Sequence, residues 1–308
     1  MEYHLFGPSR WLVNFEDALC WALSHGSTKS ANWLLEAGAD PQEARASGPC
    51  DPLASAALRG MDELFYKILK SDITLPYNDL DLLNSAIAGG SANIVETVLS
   101  RCALVKSDKT ESDVLVRSAA KSGNVKIMKL LKEYKIGINV SCGDNIFNAP
   151  IAIAMLNHKT DMVNYLLEEI RGVAKTIDDS GRTLLHVAAQ AGLSEYVKPL
   201  VDSGASISQA DNSDVRPVHV ACRKDSKETL QALIAAMNPS ERETNLNAIV
   251  QDSGDSPLHI AVKAGLLPAV TVLLESGANQ NIKNLAGETP LDIATCMNNT
   301  SIVSLLQK

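Results

Sequence analysis

The stretch Ser256-Pro-Leu-His-Ile-Ala-Val262 decides the fold, because three other segments repeat its pattern. They are Thr183-Leu-Leu-His-Val-Ala-Ala189, Arg216-Pro-Val-His-Val-Ala-Cys222 and Thr289-Pro-Leu-Asp-Ile-Ala-Thr295, and the four starts lie 33, 40 and 33 residues apart. A period of this size marks stacked repeats rather than one thick core. Each copy leads to a second apolar segment, such as Val270, Leu273 and Leu274, and then to a stop such as Ser276-Gly-Ala-Asn279 or Ser203-Gly-Ala-Ser206. The unit reads as helix, short turn, helix, loop.

Working outward, the residue that ends each first helix is expected at Gly26, Gly60, Gly90, Gly123, His158, Gly192, Asp225, Gly265 and Asn298, in steps of 30 to 40 residues. That frame gives nine repeats. The early ones lack the signature words but keep small Ala where helices must approach, as in Ala18-Leu-Cys-Trp-Ala-Leu23, Pro52-Leu-Ala-Ser-Ala-Ala57, Leu82-Leu-Asn-Ser-Ala-Ile87, Leu115-Val-Arg-Ser-Ala-Ala120 and Pro150-Ile-Ala-Ile-Ala-Met155. Pro52, Pro150, Pro217, Pro257 and Pro290 act as start signals, since proline costs no hydrogen bond in a first turn. Gly38, Gly204 and Gly277 supply the left-handed residue that stops a second helix.

These segments resemble the ankyrin repeat family, whose unit of about 33 residues opens on Thr-Pro-Leu-His-x-Ala. The resemblance runs from about residue 15 to the end and is strongest over Thr183 to Lys308. It implies an all-α ankyrin-repeat solenoid of about nine helix-turn-helix repeats, with hairpins protruding just before each signature. Asp178-Asp-Ser-Gly181, Gln251-Asp-Ser-Gly254 and Asn284-Leu-Ala-Gly287 match those hairpins. Asp211-Asn-Ser-Asp214 puts Asp where Gly is usual, and the turn is expected to survive because Asp tolerates left-handed φ. Asp144-Asn-Ile-Phe-Asn148 departs further, which leaves that hairpin's shape open.

Residues 1–14, with Leu5, Phe6, Trp11, Leu12 and Val13, are expected to form an N-terminal capping extension on an array spanning 15–308. The long step from Asp225 to Gly265 places an insertion near 238–245. Ser240 and Glu243 have capping-box spacing there, so an extra helical turn is expected. The insertion's Pro, Ser, Glu, Arg and Asn offer little to bury, and it is expected to tolerate shortening.

His186, His219 and His259 recur at the fourth signature position, a whole repeat apart, which is too far for a shared metal. The resemblance implies that each bridges backbone groups of its own and the adjoining turn; Asp292 stands in the last repeat. There is no nucleophile elbow, phosphate-binding glycine loop or His-Glu-x-x-His, so neither catalysis nor a cofactor or metal is expected. Cys20, Cys50, Cys102, Cys142, Cys222 and Cys296 show no Cys-x-x-Cys pair and read as reduced core thiols.

The 308 residues carry 36 acidic and 28 basic side chains, a net charge of -8 that argues against nucleic acid and anionic membranes. Aromatic residues make up only 4%, which suits thin layers filled by Leu, Ile, Val and Ala. No apolar run approaches the roughly 20 residues of a spanning helix, and the start lacks a secretory pattern. A cytoplasmic chain, with the nucleus not excluded and a monomer as default, is the expectation.

The resemblance implies a non-catalytic scaffold or adaptor that binds a protein or peptide through its concave groove and hairpin tips. Groove candidates are Arg59, Lys121, Leu156, Asn157, Gln190, Arg223, Lys224 and Lys263; tip candidates are Arg182, Val215 and Asp255. The groove cations point to a partner acidic at the contact, beside the plainer alternative of solvated helix ends. A pathogen-encoded effector on the same scaffold, and an enzyme or enzyme-completing subunit, are the other readings. Asn281, in Leu-Leu-Glu-Ser-Gly-Ala-Asn-Gln-Asn281, looks like ankyrin sites hydroxylated on asparagine, or is held by local backbone bonds.

Overall fold

A computed structural model describes residues 15–47, 50–70, 80–101, 109–224 and 226–307. The expected cap at 1–14, Cys102 and Asp225 therefore lie outside the described residues. The chain divides into two compact units, Met1–Ile138 and Asn139–Lys308.

In the first unit, four helix pairs follow one another: Phe15–Ser24 with Thr28–Glu36, Pro52–Leu58 with Asp62–Leu69, Leu80–Gly89 with Ala92–Arg101, and Lys109–Ser122 with Val125–Glu133. A further short helix, Pro41–Ser47, follows the first pair. In the second unit the pairs are Pro150–Leu156 with Thr160–Glu169, Leu184–Ala191 with Val197–Asp202, Pro217–Ala221 with Lys227–Ala236, Pro257–Lys263 with Leu267–Glu275, and Pro290–Cys296 with Thr300–Leu306. The only β feature among the described residues is a single antiparallel bridge, Ile177 to Thr183. Both units are thus all-helical repeat stacks.

The local chemistry explains the pairs. All five expected prolines sit in the first turn of a helix. Eight of the nine frame residues have positive φ, including the non-glycines His158 at 53° and Asn298 at 54°. Since a side chain makes that conformation costly, the turn geometry at these two positions is being imposed by the stacking around them. Each pair buries one stripe of aliphatic residues, for example Leu64, Ile68, Leu82, Leu83, Ile87 and Ile94, all without measurable exposure or nearly so. Neither helix could bury that stripe alone, and so the neighbours stack.

Two expectations need correction. Cys20 and Cys50 are not thiols: they form a disulfide with Cα atoms 5.8 Å apart, tying the first helix to the segment that enters the second pair. Cys142 and Cys222 are buried free thiols, and Cys296 is exposed rather than in the core.

The insertion is the second correction. It forms a complete helix, Pro239–Leu246, whose capping box uses Asn238 and Glu241 rather than Ser240 and Glu243. Its end is not idle surface. Asn245 is fully buried; its amide donates to Ser208 Oγ (2.8 Å) and the Glu241 carbonyl (2.7 Å), and its Oδ1 accepts from Arg216 Nη1 (3.2 Å). Leu246 beside it is 1% exposed. Asn245→Ala should therefore cost about 1 to 3 kcal/mol, because it leaves a cavity and strips three bonds from the half-buried Ser208, Arg216 and Glu241. Urea denaturation checks this, and an unchanged midpoint would mean the helix is decoration.

Candidate functional site

In the second unit the loops preceding the inner helices form a rail. Asn212 donates its backbone N–H to the Ser180 carbonyl (2.9 Å), Gln251 to Ser213 (3.1 Å) and Leu285 to Ser253 (3.0 Å), so each hairpin hangs on the one before. Gly181, Gly254 and Gly287 turn these hairpins with positive φ, and Asp214 does the same at 59°. The Asp-for-Gly exchange is absorbed. The irregular segment at 144–148 becomes a short 3-10 turn, Ile146–Asn148, with Asn145 Oδ1 accepting from the Phe147 amide.

The recurrent histidines bolt helix to rail. His186 Nδ1 accepts from the Thr183 amide (3.0 Å) while Nε2 donates to the Val215 carbonyl (2.9 Å). His219 links the Arg216 amide (2.9 Å) to the Ala248 carbonyl (3.0 Å), and His259 links the Ser256 amide (3.2 Å) to the Glu288 carbonyl (3.0 Å). An Nδ1 that accepts an N–H assigns the proton to Nε2, so all three rings are neutral. Burial lowers the pKa of all three, His219 to about 4. Asp292 closes a capping box with Thr289 on the exposed last repeat.

Two buried carboxylates organise the hairpins. Asp178 accepts from the Ile146, Ser180 and Arg182 amides and pairs with the Arg182 guanidinium at 2.8 Å. Burial alone would raise its pKa, but the Ile146 and Arg182 amides and the Arg182 charge hold it below the usual value. Asp255 is held low in the same way, against burial, by Lys263 Nζ at 2.6 Å and by the Asn284 amide at 3.1 Å.

Those pairs rearrange the expected contact set. In the second unit, Arg182 and Lys263 already neutralise Asp178 and Asp255, and Asp255 is buried rather than presented at a tip. Val215 is half-buried, with its carbonyl given to His186. Gln190, Arg223 and Lys224 are exposed around the ends of the inner helices Leu184–Ala191 and Pro217–Ala221; Leu156 and Asn157 are exposed at the end of Pro150–Leu156, with Asn157 donating to the Ile153 carbonyl. Arg59 and Lys121 are exposed in the first unit, and the Arg59 guanidinium reaches the Ser24 carbonyl. Asn281 is exposed in a turn where its N–H bonds Asn279 Oδ1 (2.9 Å).

What the sequence reading missed is apolar. Ile177, Ile249 and Leu285 lie on or beside the hairpins and are 53%, 48% and 71% exposed. The available signal was their place next to the turn residues, beside the tip candidates Arg182, Val215 and Asp255.

Among the described residues no group of His, Cys, Asp and Glu is arranged to hold a metal ion. Burial also pushes the Cys222 thiol far above its usual pKa, so it holds its proton and is no nucleophile. No helix among the described residues is long and apolar enough to cross a membrane.

A family model described as ankyrin repeats (3 copies) matches residues 140–211 and 218–308, just over half of the chain. The chain belongs to the ankyrin repeat family. Among curated relatives, the B-cell lymphoma 3 protein homolog of Mus musculus is 38% identical over 115 residues, 37% of this chain and 24% of that protein. Inversin of Canis lupus familiaris is 31% identical over 149 residues, 48% of this chain and 13% of that protein. The nuclear factor NF-kappa-B p105 subunit of Gallus gallus is 25% identical over 185 residues, 59% of this chain and 18% of that protein. The chain thus covers about a quarter or less of these ankyrin-repeat relatives. What is shared is the repeat array, a protein-interaction scaffold.

Proposed function

We propose that this ankyrin array is a non-catalytic scaffold whose second unit takes an acidic peptide, or the acidic face of a partner protein, along its inner-helix ends and hairpin rail. The observation that carries the reading is Arg223 beside Lys224. Both are exposed in the turn after Pro217–Ala221, and neither is held by an ion pair among the described residues, whereas Lys263 and Arg182 are. Histidine bolts and inter-hairpin bonds fix the spacing of the surface before a partner arrives, so little ordering entropy is lost on docking. A local cationic pair on a chain of net charge -8 steers an anionic partner and repels misplaced encounters. The proposed location is the cytoplasm, a reducing compartment in which a disulfide such as Cys20–Cys50 is exceptional.

Affinity capture with mass spectrometry, comparing wild type with the Arg223→Glu/Lys224→Glu variant, identifies a partner lost by the variant. With that partner in hand, the double reversal should slow association about tenfold at low salt, with the difference shrinking as salt is added. The melting temperature should not move, since both side chains are solvated. Equal association rates across the salt range would eliminate the electrostatic site and shift the contact to Ile177, Ile249 and Leu285.

A further inference from the structure

The first helix pair keeps an apolar groove on its surface. Phe15–Ser24 and Thr28–Glu36 bury Leu19, Leu23 and Ala31, yet Trp21 and Trp33 are 60% and 63% exposed. The groove has a volume of about 670 Å³ and is lined by Ala18, Trp21, Ala22, Lys29, Trp33 and Leu34, with Ser30 at its polar edge. Among the described residues every one that lines it belongs to this pair, so the second helix pair does not fill it. Trp21 stacks on the His25 ring at 4.3 Å, yet both indoles stay more than half exposed, and an apolar patch of this kind on a folded surface marks a place for contact.

We propose that the groove is the docking site of the chain's own residues 1–14. The segment ends at Phe15, the first residue of the helix that carries Ala18, Trp21 and Ala22, so it is tethered at the groove itself. Its sequence suits an apolar groove: two apolar clusters, Leu5-Phe6 and Trp11-Leu12-Val13, flank Gly7-Pro8, a turn signal that lets a short chain double back. Only Glu2 and Arg10 carry full side-chain charges there. A tether this short keeps the effective concentration of the segment in the millimolar range, so a second copy of the chain or a separate apolar peptide competes at a disadvantage.

The three tryptophans of the chain are Trp11, Trp21 and Trp33, so indole fluorescence, excited beyond the absorption band of the six tyrosines, reports on this contact. In the intact protein acrylamide should quench weakly. In the variant Leu5→Ser/Phe6→Ser/Leu12→Ser/Val13→Ser, which keeps every tryptophan, quenching should rise severalfold while helical content is retained. A readout without substitution is tryptic cleavage after Arg10, expected at least about tenfold slower in the intact protein than in a synthetic peptide of residues 1–20, because cleavage must wait for the segment to lift off. Cleavage as fast as in the peptide, or quenching equal in wild type and variant, overturns the proposal. Shielding that disappears on dilution, with a dimer seen in sedimentation, also overturns it and makes the second copy the occupant.

Discussion

Gly89→Ala should unfold the first unit under conditions where the wild type is stable. A Cβ at Gly89 would lie 2.0 Å from the Ala57 carbonyl oxygen and 2.9 Å from the Leu58 carbonyl carbon and oxygen. These are backbone atoms of the neighbouring inner helix Pro52–Leu58, not the free end of a side chain, so relief requires moving one helix off another. Gly60 tightens the same crossing: its own Cβ would meet the Gly89 carbonyl oxygen at 2.9 Å. Overpacking of this kind costs on the order of 3 kcal/mol or more, a large part of a domain's net stability. The matched control is Gly137→Ala, where an added methyl meets nothing within 4 Å and the expected change is within about 0.5 kcal/mol. Circular-dichroism melts measure both, and amide exchange localises the loss to residues 15–138. A Gly89→Ala protein that melts with the wild type would mean that these two helices do not cross as closely as described.

The frame that places Gly90 was legible because stacking makes strict demands on every layer. Small residues must stand where inner helices meet, and a left-handed residue must follow, so even repeats without the signature words keep the pattern. His158 and Asn298 fell into place by spacing alone. The signature histidines were legible for the same reason, since their partners lie at fixed offsets in the repeat.

Pairings outside the period were not legible. Cys20 precedes its frame glycine Gly26 by six residues and Cys50 precedes Gly60 by ten, so periodicity gives no hint that they meet; the extra helix Pro41–Ser47 intervenes between them. Charge suffered likewise. Lys263 looked like one of five free cations because the repeat frame reports where a side chain starts, not what it reaches, and eight residues back lay Asp255. The insertion misled through composition: polar residues were read as solvated, while Asn245 satisfies its hydrogen bonds inside the protein.

Acid should weaken the second unit well before Asp178 and Asp255 take up protons. His219 is buried and neutral, and burial takes its pKa from 6.5 to about 4. The lowered value means that the unfolded chain binds a proton more readily than the folded one between these limits. The stability that the neutral ring contributes is complete above about pH 6.5, falls as pH drops toward 4 and is lost below that; for His219 alone the fall is about 3 kcal/mol. His186 and His259 shift in the same direction and add to the slope. The reason is geometric as well as dielectric, because a proton on Nδ1 would face the amide N–H that this nitrogen now accepts. Asp178 and Asp255 work in a separate window: their folded pKa values lie below 3.8, so the stability they contribute persists until the pH falls beneath that value. Urea midpoints at pH 7.5, 5.5 and 4.5 should therefore decline steadily in the wild type, and His219→Ala, weaker at neutral pH, should show a flatter dependence. Equal wild-type midpoints at pH 7.5 and 4.5 would show that the rings protonate without breaking their bridges, and the bolts between helix and rail would have to be reassigned to the hairpin backbone alone.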